Sequence, residues 1–387
     1  MSSFKRRQAT AVIPGTRPSP YNSVSLLSTG LASLDDILGG GLPISSSLMI
    51  EADHPTSYAE TVLKFWISQG LECGHKTLVI SNNLEFNPPV SKSLPSVDMD
   101  DDEPAEEEKK DEKMKIAFRY EGMKQHQVSV PLTPAAPSNK TDVYCSRFDL
   151  LKKRALSTAD TKNLICDSPA SYAEMYSLIE RTVDEGGYRF QPDASATSRP
   201  SKVLRIALFS LGSPAWPLMS SAELFTFLHS LRTLLRTSSA TIMLTFSSFL
   251  YNQSIKTRLS HAVDSVIQLE SFANSPESLE AFPRHNGLIK VPKLPSIGSL
   301  VSPSVKLSVL RGLGGGQGNN LGFRIKRRRF IIETVNGDPP IGAGEVKPKP
   351  KPVEEKQETK PDAQKKVPVK PKSVAADIHK RPELYEF

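Results

Sequence analysis

The chain has little cysteine, little tryptophan and no long apolar run, and each shortage removes a class of function. Its 387 residues hold three cysteines, Cys73, Cys145 and Cys166, too far apart to form a C-x-x-C pair. That excludes a disulfide framework, and reduced thiols fit the cytoplasm and nucleus. Cys73 and His75 stand close together, but no second ligand pair completes a zinc site, so no metal is expected. No apolar run reaches the roughly 20 residues that a membrane helix needs. The basic start Met1-Ser2-Ser3-Phe4-Lys5-Arg6-Arg7 leads into no signal-peptide core. An intracellular protein with no membrane partner is expected. The seven histidines are scattered, and no Ser-His-Asp or paired-carboxylate arrangement stands out, so no catalytic residue is assigned.

What the chain does have is proline and unevenly placed charge. Thirty-one prolines are too many for one compact helical domain, although 38% hydrophobic residues suffice for a substantial core. The net charge is +7, yet residues 98–112 hold ten Asp or Glu against two Lys, a net of −8. The remainder is therefore strongly basic, which fits a polyanionic partner or simple solubility. Three segments read as lacking a core. They are a flexible basic arm over 1–21, a disordered acidic insertion over about 86–113, and a disordered Lys/Pro/Glu-rich tail over 338–387. The acidic insertion reads as a solvated loop or as an autoinhibitory or partner-binding segment.

The stretch 22–337 reads as one α/β domain. Apolar runs predict strands at 47–52, 76–81, 203–211, 240–246 and 263–270, with more near 114–120, 287–291 and 323–335. Helical spacing predicts helices over 57–70, 169–186, 220–237 and about 254–262, and Asp149–Lys152 reads as the start of a short helix. Strand, helix, strand in this order favours a mostly parallel sheet flanked by helices, here with a β-rich C-terminal edge.

The most telling stretch runs Ser28-Thr29-Gly30-Leu31-Ala32-Ser33-Leu34-Asp35-Asp36-Ile37-Leu38-Gly39-Gly40-Gly41-Leu42-Pro43, followed by the apolar Leu48-Met49-Ile50. It resembles the start of RecA-like ATPase domains of the RadA and KaiC kind. In those, the next strand opens into a phosphate-binding loop whose glycines free the backbone amides and whose lysine reaches the terminal phosphates. Here the loop position reads Asp53-His54-Pro55-Thr56-Ser57, with no glycine and no lysine. Asp53 would set a negative charge against phosphate, and Pro55 removes an N–H donor. Thr56 and Ser57 read better as caps of the following helix than as phosphate ligands. The strand that would carry the magnesium-positioning acid, Val203–Leu211, runs on into Gly212-Ser213-Pro214 without a carboxylate. Glu51 is a weak substitute. With both features gone, efficient hydrolysis by this chain alone is not expected.

One basic cluster stands out. Arg324, Lys326, Arg327, Arg328 and Arg329 lie between Phe323 and Phe330. On an uninterrupted strand, alternation sends Arg327 and Arg329 to one face and Lys326 and Arg328 to the other. They are candidate nucleic-acid contacts, against the alternative of a solvated edge strand guarded by charge. The Gly312–Gly318 segment precedes a strand and not a helix, so it reads as a loop and not as a dinucleotide fingerprint.

Together, Gly15-Thr16-Arg17-Pro18-Ser19, Ser28–Pro43, Lys115–Tyr120, Ile206–Pro214 and Gly322–Thr334 resemble the PAXNEB family, and the likeness spans most of 15–335. The resemblance implies a RecA-like accessory subunit of Elongator without working nucleotide motifs. It implies assembly with Elongator proteins 5 and 6 into a heterohexameric ring that docks on the Elongator catalytic core. It further implies tRNA binding in support of wobble-uridine modification, and no cofactor on this chain alone, with ATP confined to ring interfaces. Two alternatives stay open: an active RadA-like ATPase acting on nucleic acid, and a scaffold that binds none.

Overall fold

The computed structural model describes residues 13–20, 22, 24–81, 93–98, 144–190, 202–216, 220–298 and 321–335. In chain order the elements are β1 (Thr16–Pro18), β2 (Ser25–Leu27), α1 (Ala32–Ile37), β3 (Leu42–Pro43), β4 (Ser47–Ala52), α2 (Tyr58–Glu72), β5 (Lys76–Ile80), β6 (Pro95–Val97) and β7 (Phe148–Lys153). Then follow α3 (Thr158–Asn163), β8 (Leu164–Asp167), α4 (Tyr172–Glu185), β9 (Leu204–Leu211), α5 (Ser221–Arg236), β10 (Ala240–Ser247), α6 (Gln253–Ala262), β11 (Ser265–Ser271), α7 (Pro276–Ala281), β12 (Gly287–Lys293), β13 (Leu321–Lys326) and β14 (Arg329–Thr334).

The main sheet has nine strands in the order β14-β13-β12-β11-β4-β10-β9-β5-β8. From β11 to β8 every pairing is parallel. From β11 to β14 every pairing is antiparallel. The central parallel strands β4, β9 and β10 are buried on both faces, which is why they read as apolar runs. In β4, Leu48 and Ile50 enter the core beneath α2, while Met49 enters the core beneath α4 and α5. The fold is therefore the RecA-like α/β architecture expected from the sequence, antiparallel edge included. Strand β4 sits at its centre, between β10 and β11.

Helix ends follow local chemistry. Ser220 caps α5 and Glu223 returns a bond to the Ser220 N–H; Ser157 and Asp160 do the same for α3. Along α2, Val62, Phe65, Trp66 and Gln69 are buried at helical spacing, and Tyr58 meets Phe323 edge-on at 5.0 Å.

Several expectations need correction. Within the supposed arm, Thr16–Pro18 forms β1 and pairs with β2, because Arg17 is drawn inward by carbonyl and aromatic partners. Within the supposed acidic insertion, Pro95–Val97 forms β6 on β7, anchored by the buried Leu94. Asp149–Lys152 is strand and not helix, since Phe148 and Asp149 are buried while Leu151 to Lys153 point outward from an edge ladder. Helix α3 and strand β8 had no clear pattern in sequence. The predicted strand at 114–120, the Gly312–Gly318 loop, and the tail beyond 335 lie outside the described residues.

Candidate functional site

In open α/β sheets ligands bind beyond the carboxyl ends of the parallel strands. At the centre of that crest, β4 runs into Asp53–Ser57 and then α2. The Asp53 carboxylate accepts the Ser271 N–H at 3.1 Å with both oxygens, and the Asp53 N–H reaches the Leu269 carbonyl at 3.4 Å. The loop is thus tied sideways to the end of β11. Half-burial raises the Asp53 carboxyl above its ordinary range, and the Ser271 bond pulls the other way. His54 lies 3.7 Å from Asp53 and 3.3 Å from the Asn274 amide. The Thr56 N–H turns back onto the His54 carbonyl at 2.7 Å, so it is spent within the loop. Ser57 occupies the N-cap of α2, but its side chain makes no capping bond, contrary to the expectation for Thr56 and Ser57. Its φ of −84° and ψ of 5° take the hydroxyl out of the extended geometry a cap requires.

The neighbouring strand ends complete the crest. Near the end of β9, Ser210 takes φ +47°, and just beyond the strand the Gly212 carbonyl accepts the Tyr251 hydroxyl at 2.8 Å. Ser248 donates to the Ala52 carbonyl at 2.8 Å. Glu51, at the end of β4, is buried, and burial raises its pKa against the pull of Lys256. The position that would hold a magnesium-positioning acid is occupied by Ser210-Leu211-Gly212. No group of three or more His, Cys, Asp or Glu suited to a metal occurs among the described residues. The Asp53 and Thr56 amides are thus bonded within the crest, where a nucleotide-binding loop would present free amides.

The basic cluster sits at the far antiparallel edge. Lys326 pairs with Arg329 across a tight turn made of Arg327 and Arg328, so these residues form a hairpin tip and do not alternate along one strand. Arg327 takes φ +38°, the conformation that reverses the chain there. Carboxylates lie near three of these cations: Arg324 at 3.1 Å from Glu333, Arg328 at 3.7 Å from the buried Asp149, and Arg329 at 3.4 Å from Asp98, and Lys326 too makes a polar or ring contact. Lys326 and Arg327 are exposed.

A third cluster, at the opposite end of the sheet, was not singled out from the sequence. Arg205 on β9 is fully buried. Its Nε donates to His75 Nδ1 at 3.0 Å, its Nη1 to the Ser28 carbonyl at 2.9 Å, and its guanidinium lies 4.1 Å over the Trp66 ring. Gly70 makes room for it, since a Cβ there would stand 2.7 Å from Arg205 Cδ. Burial lowers the Arg205 pKa to about 10, so it stays charged at neutral pH. The same burial, with Arg205 alongside, lowers His75 to about 3. Neutral His75 accepts from Arg205 on Nδ1 and so donates from Nε2 to the Pro14 carbonyl at 2.7 Å.

Next to it, Asp35 accepts from the Ser28 hydroxyl at 2.6 Å and from the Thr29 N–H and hydroxyl, both at 2.7 Å. Burial outweighs these bonds and lifts Asp35 to about 6. The Gly40 carbonyl accepts from Arg17 Nε at 3.0 Å, Arg17 Nη2 at 2.7 Å and the Tyr144 hydroxyl at 2.7 Å. Gly41 holds φ +128° with the Leu27 carbonyl 2.5 Å from where a Cβ would sit, so only glycine fits. The signal for this cluster was a lone arginine in the most apolar strand of the chain.

Fold and crest together define a class: a RecA-like domain whose phosphate-loop position holds Asp53–Ser57 in place of glycines and a lysine. The comparisons narrow it. The PAXNEB protein family matches residues 9–370, and the chain belongs to that family. It is 30% identical over 371 residues to Elongator complex protein 4 of Xenopus laevis, covering 88% of this chain and 87% of that one. The human protein of the same name is 28% identical over 359 residues, covering 85% and 80%. That of Schizosaccharomyces pombe is 26% identical over 370 residues, covering 86% and 91%.

Proposed function

We propose that this chain is a non-catalytic RecA-like subunit of the Elongator complex. It joins Elongator proteins 5 and 6 in a heterohexameric ring, docks with them on the catalytic core, and helps hold tRNA for wobble-uridine modification in cytoplasm and nucleus. Membership in the PAXNEB family, with relatives named Elongator complex protein 4, supports the complex. The observation that carries the non-catalytic part is Asp53. Its carboxylate holds β11 at the place where a phosphate would need a glycine-rich turn and a lysine. ATP in this reading enters only at interfaces where a neighbouring subunit supplies the grip.

The hairpin tip is the tRNA-facing element. Lys326, Arg327 and Arg329 are exposed, and Arg324 and Arg328 are half-buried. A second reading, a scaffold that binds no nucleic acid, draws on the carboxylates already set against three of those cations.

Solution mass of the chain with Elongator proteins 5 and 6, followed by tRNA binding at two salt concentrations, separates these readings. A stoichiometric hexamer is expected. Replacing Lys326 and Arg327 with Ala should flatten the salt dependence of log K by about 0.7–0.9 per lost phosphate contact. An unchanged slope removes the hairpin assignment, and failure to assemble removes the ring.

A further inference from the structure

A cleft of about 820 Å³ opens between α1, the Tyr144–Phe148 segment and β14. Phe65, Phe148 and Phe330 line its apolar part, and Arg17, Arg147 and Arg329 line its polar part. Arg17 is committed to the Gly40 carbonyl and the Tyr144 ring. Arg147 is exposed and has no acidic partner among the described residues. The cleft also carries Asp35 and Asp36, but Asp35 is turned inward onto Ser28 and Thr29.

The first residue of the acidic run is already bound at this mouth. The Asp98 N–H donates to the Arg147 carbonyl at 2.8 Å, and the nearly buried Asp98 carboxylate lies 3.4 Å from Arg329. Asp100, Asp101, Asp102 and Glu103 follow two to five positions later. A chain advances at most about 3.3–3.6 Å per residue, so these four acids stay within roughly 18 Å of that anchor. The far end of the stretch returns at Tyr144, which also lines the cleft. Tethering of this kind gives an effective concentration in the millimolar range, enough to populate a contact that would be weak between separate molecules.

We propose that the cleft mouth at Arg147 and Arg329, extended by the Arg327–Arg328 turn that precedes Arg329, is a docking surface for the chain's own acidic run, residues 100–112. The run acts there as a polyanion in cis. Where the hairpin serves as a tRNA contact, the run competes with tRNA for it; only this consequence rests on the function proposed above.

The test uses the full chain and a variant in which the Asp and Glu residues of 100–112 become Asn and Gln. A fluorescent synthetic peptide of residues 98–112 is titrated into each at low salt. It should bind the neutralised chain saturably, and about tenfold more weakly both to the unaltered chain, whose own run occupies the surface, and to the neutralised chain carrying Arg147→Glu. No binding, or equal binding to all three proteins, overturns the docking. Binding of unfractionated tRNA to the same proteins separates the two claims. Peptide docking without any gain in tRNA affinity on neutralisation keeps the docking and removes the hairpin as a tRNA contact. A tRNA affinity that depends on Lys326 and Arg327 while the peptide fails to bind does the reverse.

Discussion

The two ends of the main sheet use polar residues in opposite ways. At the carboxyl end, where RecA-like proteins hold nucleotide, Asp53, Thr56, Ser248 and Tyr251 bond to backbone at the strand ends and the adjoining loops. At the amino end, Arg205, His75, Asp35 and Ser28 form a buried knot that ties β9, α2 and the loop before α1 together. The first end is the one we propose has no grip on nucleotide. The second is structural, and it gives the Ser28–Pro43 stretch a role in the fold that needs no nucleotide. Its Asp35 closes a turn, its glycines admit Arg17 and Tyr144, and its Ser28 carbonyl receives a buried cation.

The contrast can be broken at the amino end first. Arg205→Ala should cost about 3–5 kcal/mol, because it opens a void under Trp66 and leaves the Ser28 carbonyl and His75 without their donor. Chemical denaturation would show this as a lower midpoint at unchanged slope. Asp35→Ala should cost roughly 2–4 kcal/mol, since three buried donors on Ser28 and Thr29 lose their acceptor. If either loss is below about 1 kcal/mol, the knot is not what holds this end.

A pH series sharpens the same point. His75 is neutral in the fold, with a pKa of about 3, so its contribution is complete above 6.5 and is lost as pH falls toward 3. Asp35, raised to about 6, behaves oppositely: its contribution is complete below 3.8 and is lost as pH rises through 6. The two slopes cancel between about pH 4 and 6. In His75→Gln only the Asp35 slope remains. The stability gap between wild type and variant should therefore narrow by up to about 1.4 kcal/mol per pH unit below 6.5. A constant gap would mean that His75 titrates normally.

At the carboxyl end the expected effect is smallest. Asp53→Ala removes a half-buried acceptor of one N–H and should cost only about 0.5–1.5 kcal/mol. A loss as large as that of Arg205→Ala would erase the distinction between the two ends.

How much of this was legible in sequence depended on periodicity. The buried parallel strands and the long amphipathic helices announced themselves, and so did the missing lysine and glycines at 53–57. Short edge elements did not. Strand β7 alternates weakly, with Leu151 exposed, and β6 is three residues long. The hairpin tip was missed because strand alternation carries no mark for a turn made by Arg327 and Arg328 in place of glycine or asparagine. The knot was hidden for a different reason: its members are far apart in the chain, and only the fold brings Arg205 to His75 and Ser28.

The proposed function rests on a crest that does not grip nucleotide. Calorimetric titration of the purified chain, alone, with magnesium and ATP tests it most directly. No saturable heat is expected, in the wild type or when Asp53–Ser57 are replaced. Stoichiometric binding that disappears on replacing Asp53–Ser57 would contradict the claim and restore the reading of an active RadA-like ATPase.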